Sequence, residues 1–246
     1  MIADLSGRVA IVTGSSSGIG EAVARNLSLA GANVVVNSSS SVSDGQRVAA
    51  ALPTDAIYIQ ADIASPHQCQ GLVDQALNRF GRLDVLVNNA AWTTQVDHTD
   101  LDGLTDDILR KTFEVNVFGT WWVTKAAMPH LMDSPDGSVT TVTSIAGIRP
   151  VGSSIAYSMS KAALNHLTLL LAKSFGPVRV NAVAPGLVDT PWTEDWDAVR
   201  EFVAATAPAG RSATPDEVAE AVLALITNTY ITGEVFVVDG GLSQAI

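Results

Sequence analysis

Short apolar runs rich in β-branched residues alternate with longer stretches of helical period along almost the whole of this chain. The runs occupy residues 8–13, 33–36, 56–59, 83–87, 138–142, 178–183 and 234–238. The first of them, Arg8–Thr13, is short and β-branched, as a buried strand should be. Helical spacing fills 18–30, 42–52, 66–80, 105–131, 156–175 and 215–226. In the first of these, Ile19, Val23, Leu27 and Ala30 fall on one helix face, and Gly31 supplies a stop. The alternation predicts one doubly wound α/β domain over residues 1–246, with helices on both faces of a mainly parallel, seven-stranded sheet. Gly119 and Pro129 predict a bend or early end in the fourth helix. The least regular stretch, 186–211, reads as a mobile substrate loop.

Composition narrows the function classes. With 47% hydrophobic and 16% charged residues the chain can bury a substantial core. A net charge of -11 argues against a nucleic-acid partner. No apolar run reaches the ~18–20 residues needed to span a bilayer, so no membrane partner is expected. Cys69 is the only cysteine. With no signal-like basic and apolar N-terminal pattern, this predicts a cytoplasmic protein. His67, His98, His130 and His166 lack metal-ligand spacing, so no metal is expected.

Two motifs carry chemistry. The segment Thr13-Gly14-Ser15-Ser16-Ser17-Gly18-Ile19-Gly20 lies between the first strand and the first helix. Its glycines permit a tight turn and close approach of a phosphate, and the helix N-terminus adds free N–H groups. Tyr157 and Lys161 are four residues apart on a helix, hence on one face. A phenol of pKa about 10 is a poor base, and a neighbouring ammonium favours its ionised form. Such a pair also occurs by chance on many helices. Ser144, at the carboxyl end of the fifth strand, stands where open α/β sheets bind ligands. Asn88-Asn89-Ala90 ends the fourth strand in the same way, and Asn116 lies within the long helix.

In order and spacing, these residues, with Pro185-Gly186 and Asp239-Gly240-Gly241, resemble the short-chain dehydrogenase/reductase family over residues 8–241. The resemblance implies a Rossmann fold and NAD(P)-linked transfer of hydride between a nicotinamide and a carbonyl or secondary alcohol. Tyr157 would be the general acid or base. Lys161 would lower its pKa and bind the nicotinamide ribose. Ser144 would polarise the carbonyl, and Asn116 would hold a water leading from Lys161 to solvent. The cofactor would lie on Gly14, Ser16, Ser17, Gly18, Ile19 and Gly20. Asp62 and Ile63 would contact its adenine, Asn88 and Ala90 would flank it, and Val188 and Thr190 after Pro185-Gly186 would hold the carboxamide. The second strand ends in Asn37-Ser38-Ser39-Ser40, with no carboxylate to repel a 2′-phosphate, so Ser38 and Ser39 favour NADP, with NAD possible. Arg47 would contribute only if its helix points suitably. Trp92 and Trp192 are candidate substrate-pocket residues for a small carbonyl or alcohol, with Trp196 in a lid. The family resemblance also implies a homotetramer. Two alternatives are a 3-oxoacyl thioester reductase and a dinucleotide-binding regulator without turnover.

Overall fold

The computed structural model describes residues 4–246. Seven strands, β1 (Val9–Val12), β2 (Asn33–Ser38), β3 (Ala56–Gln60), β4 (Val85–Asn88), β5 (Ser138–Val142), β6 (Arg179–Pro185) and β7 (Val235–Val238), form one sheet. Its order is β3-β2-β1-β4-β5-β6-β7 and every pairing is parallel. The chain returns from the β3 edge to pair β4 with β1, so the order reverses beside β1 and opens a crevice at the strand ends, where such sheets bind ligands.

The strand period of two divides the core into two layers. Ala10 and Val12 of β1 pack on Val23 and Leu27 of α1 (Gly18–Leu29) and on Val218 and Val222 of α8 (Pro215–Thr227). Val9 and Ile11 face the other way, onto Leu72 of α3 (Pro66–Phe80) and Val123 and Leu131 of α5 (Thr120–Asp133). Full burial of each large side chain stabilises the fold by roughly 1.5–3 kcal/mol. Local signals set the helix ends. Ser65 caps α3 by accepting from the Gln68 N–H, Pro66 opens it, and Gly81 closes it at a φ of 75°. Asp84, at the base of β4, accepts from Val9 N, Arg82 and Ser134 Oγ, tying β1, β4 and the segment after α5 together.

Two expectations are corrected. The fourth helix is not one α-helix. It comprises α4 (Asp106–Phe113), a π-helical turn over Glu114–Gly119, and α5, which carries Pro129 inside it. The region 186–211 is more regular than expected, because it contains α7 (Asp197–Thr206). That helix is ten residues long, too short to be stable alone. Val203 packs with Ile145, Ala207 and Leu242 in a small third cluster. The remaining helices are α2 (Val42–Ala51), α6 (Ile155–Ser174) and α9 (Leu242–Ala245).

Candidate active site

A cleft of about 1300 Å³ runs across the carboxyl ends of the strands. It is larger than the ~300–1,000 Å³ typical of one small ligand, so it can hold a dinucleotide and a second molecule side by side. Ser144 and Lys161 meet in it because β5 and α6 pack together there. Ser154 caps α6 by accepting from the Tyr157 N–H at 3.2 Å, placing Tyr157 in the first turn. The positive end of the helix dipole there favours a phenolate. Lys161, one turn on and only 3% exposed, sends its ammonium to the carbonyl oxygen of Val142 at 2.9 Å, at the end of β5. That ammonium is 5.5 Å from the centre of the Tyr157 ring. Ser144 accepts from the Ala146 N–H at 3.1 Å, starting a short 3-10 turn over Ile145–Gly147, its hydroxyl donates to the Pro185 carbonyl at 3.5 Å, and it lies close enough to Tyr157 to favour the phenolate. The same serine therefore caps a turn and faces the phenol.

Burial dominates the titration of this group. It pushes the Tyr157 phenol up to about 12, against the opposing pull of the Ser144 hydrogen bond. It also pulls the Lys161 ammonium down to about 8. The expected depression of the tyrosine by the lysine is therefore not found: burial sets the direction of the shift, and the opposing influence comes from Ser144.

The glycine turn forms the other end. Gly14 has a φ of 61°, and a Cβ there would sit 2.7 Å from Cα of Ala90. Ser17 caps α1 by backbone position alone, with no side-chain hydrogen bond, so the helix start opens unblocked. Thr13 Oγ1 accepts from the N–H groups of Asn89 and Ala90, while the Asn89 amide donates to the carbonyls of Thr13 and Gly14. Gly14, Ser16, Ser17, Gly18 and Ile19 line the cleft, as do Ser38, Ser39, Asp62, Ile63, Ala90, Pro185, Gly186, Val188 and Thr190. The Ser38 hydroxyl pairs with the Tyr58 hydroxyl at 2.9 Å, which leaves Ser39 as the exposed one. Arg47 is held by Glu21 through two hydrogen bonds.

Three expected residues lie outside the cleft lining. Gly20 has no room for a side chain, because a Cβ would be 2.3 Å from the Gly14 carbonyl oxygen. Asn88 is buried and donates to Thr124 Oγ1 at 2.9 Å, while its neighbour Asn89 lines the cleft. Asn116 is fully buried in the π-turn. Its amide accepts from Trp92 N at 2.7 Å and donates to Trp92 O and Ser160 Oγ at 3.0 Å each. Asn116 thus clamps the loop after β4 through its backbone.

Trp92, Trp192 and Trp196 all line the cleft, and Trp192 meets the Tyr157 ring edge-on at 6.4 Å. Two residues that sequence reasoning missed shape it. Arg200 of α7 pairs with Asp189 at 3.0 Å and donates to the Thr193 carbonyl, fastening the helix to the loop that carries Val188, Thr190 and Trp192. Gly147 lies against α6, where a Cβ would be 2.6 Å from the Lys161 carbonyl carbon. Neither has a local sequence signal, since both act through contacts distant in the chain.

Residues 14–243 match the family model described as enoyl-(acyl carrier protein) reductase. A protein of Streptomyces violaceoruber assigned as ketoacyl reductase 2 of the granaticin polyketide synthase is 53% identical, over 95% of each chain. The cis-4-hydroxycyclohexanecarboxylate dehydrogenase of Sinomonas cyclohexanicum is 37% identical over 95% of this chain and 96% of that one. A short-chain dehydrogenase/reductase of Serratia marcescens superposes with a TM-score of 0.91 at 34% identity, covering 97% of this chain and 99% of that one. With an all-parallel seven-stranded sheet and relatives of this kind along nearly its full length, the chain belongs to the short-chain dehydrogenase/reductase family of oxidoreductases.

Proposed function

We propose that this protein is an NADP(H)-dependent reductase of a small ketone, with Tyr157 as the general acid. The reading rests above all on the convergence of Ser144, Tyr157 and Lys161 in the cleft that also receives the glycine turn. The cofactor end fits a dinucleotide phosphate through its open helix start and its side-chain-free turn. A nicotinamide cofactor held there would supply the hydride that reduces the carbonyl carbon. Tyr157 donates its proton to the carbonyl oxygen as the alcohol forms. Ser144 hydrogen-bonds that oxygen and holds it toward the phenol. Lys161 compensates the phenolate charge and presents its ammonium to the nicotinamide ribose. Asn116 acts by fixing the loop of Trp92 through both backbone polar groups of that residue, with its amide also donating to Ser160.

The titration directions favour reduction. With a phenol near 12, Tyr157 is protonated at neutral pH and ready to act as an acid. Alcohol oxidation requires the phenolate and is expected to accelerate as pH rises. Ser39 offers a hydroxyl to a 2′-phosphate with no carboxylate beside it at the end of β2, which supports NADP over NAD. Fluorescence titration with NADPH and NADH tests this choice, and tighter NADH binding would reverse it. Turnover of a ketone panel with both cofactors tests the reaction.

A 3-oxoacyl thioester is the second reading, favoured by the ketoacyl relative. A net charge of -11 is poorly suited to docking an acidic carrier protein. We read the exposed faces of α5 and α6 as subunit contacts of a tetramer, and the cytoplasm as its site of action.

A further inference from the structure

The cleft contains two lysines, and only one belongs to the proton-transfer group. Lys161 is buried against the Val142 carbonyl. Lys111, in the last turn of α4, is exposed and lines the same cleft. Asp107 lies one helical turn before it, at the spacing that ordinarily pairs. Lys111 does not take that partner, and it forms no ion pair among the described residues. Its ammonium instead lies over the Trp92 ring, 4.4 Å from the centroid. A cation on an aromatic face keeps its hydrogen-bond donors for a third party.

The platform beneath it is firm. Both backbone polar groups of Trp92 are held by the Asn116 amide, at 2.7 and 3.0 Å. The acid of this end of the cleft, Asp97, is occupied by the N–H and hydroxyl of Thr99 at 2.8 and 2.6 Å. The cleft lining also includes the apolar side chains of Trp192, Trp196, Val199 and Phe202. A fixed, uncompensated cation thus shares the cleft with aromatic and aliphatic side chains and with Tyr157 and Ser144.

We propose that Lys111, stacked on Trp92, is a specificity determinant that binds a carboxylate of the substrate, so that the preferred substrates are ketones with an apolar ring and a free acid group. This rests on the reductase reading above and adds the substrate class. A free carboxylate suits the site better than a carrier-bound acyl group, because it brings its charge to Lys111 without a protein surface that the net negative chain would repel. Lys111 binds and orients, while proton transfer remains with Tyr157.

The test compares benzoylpropionate with its methyl ester. Binding of each to the enzyme–NADPH complex is followed by tryptophan fluorescence, so the comparison does not require turnover. In the wild-type protein the acid is expected to bind about tenfold tighter than the ester, as one charge-assisted contact allows. Lys111→Met should bring that ratio close to one, and Lys111→Arg should restore most of it. A wild-type protein that binds the ester as well as the acid overturns the proposal. So does a Lys111→Met protein that keeps the acid's advantage, and so does binding of neither compound. Turnover by Tyr157→Phe separates the two readings. If that variant still reduces ketones, the catalytic assignment fails while the acid-to-ester ratio still reports on Lys111.

Discussion

At the scale of the residue, the pair of half-buried Tyr157 and buried Lys161 sets the sharpest expectations. Tyr157→Phe removes one hydroxyl from a ring held edge-on by Trp192. Turnover should fall by about 10²–10⁴, the usual worth of a positioned acid, while NADPH affinity stays within a few-fold. Nicotinamide absorbance and a fluorescence titration read the two quantities. Burial of the Lys161 ammonium costs stability. Its ammonium titrates near 8 when folded, against an ordinary value of 10.5. Between those values the unfolded chain holds more protons than the native one, so stability should rise with pH in that window. Lys161→Met should therefore be the more stable protein at neutral pH, by on the order of 3 kcal/mol. Urea unfolding should show that gap closing as pH climbs from about 8 to 10.5. A gap that stays constant would mean that desolvation of the ammonium is not its source.

Among the elements, the π-turn and α7 are the two nearest the cleft's loops that the primary structure did not announce. A π-turn leaves no compositional trace, since its extra residue is stabilised by what it contacts, here the Trp92 backbone. The helix α7 is short and makes a modest apolar cluster, so its ion pairs matter to its position. Arg200→Met should loosen it from the loop of Val188 and Thr190. Hydrogen exchange over 197–206 should speed up, and the Michaelis constant for the ketone should rise about tenfold or less, with kcat less affected. Unaltered exchange would show that Val203 and its neighbours hold the helix without the arginine. The glycine turn belongs to this scale too. Gly14→Ala would strain a left-handed φ of 61° and press on Ala90. A loss of roughly 1–3 kcal/mol in stability, with weaker NADPH binding, is expected by thermal melting and titration.

For the molecule as a whole, the exposed apolar surface is the feature on which the tetramer reading turns. Phe118, Trp121, Met159, Leu169 and Leu170 are 41–50% exposed along the π-turn, α5 and α6. Trp122, by contrast, packs inward against Phe118 and the second core layer. Light scattering coupled to gel filtration should return a tetramer, and Leu170→Glu should produce smaller species. A wild-type monomer would remove α6 as a contact. Asp84 tests the sheet's own cohesion. Its carboxyl is held below the usual carboxylate range: burial raises it, but hydrogen bonds from Arg82, Ser134 and Val9 outweigh that. Its contribution is present above the unfolded value near 4 and disappears as pH falls through the lower folded one. Asp84→Asn should cost about 2 kcal/mol at neutral pH, measured by urea unfolding, and should flatten the acid limb of the stability curve.

The alternation of apolar runs and helical periods determined the sheet, its seven strands and the longer helices between them, because each strand and each helix face carries its own apolar pattern. The glycine turn and the Tyr157–Lys161 spacing were legible for the same reason: each motif lies within one helical turn or one tight loop. What tertiary structure decided was which polar groups remain available. Asn88 and Asn116 were visible as polar residues, but only packing shows that Thr124 takes the first and Trp92 the second. Asn89, Gly147, Arg200 and Lys111 gained their places the same way, from partners that lie beyond their own turn or helix. The sign of the tyrosine's shift also lay outside the sequence. Spacing predicts the attraction between ammonium and phenolate, whereas the cost of burying them depends on everything that closes around them.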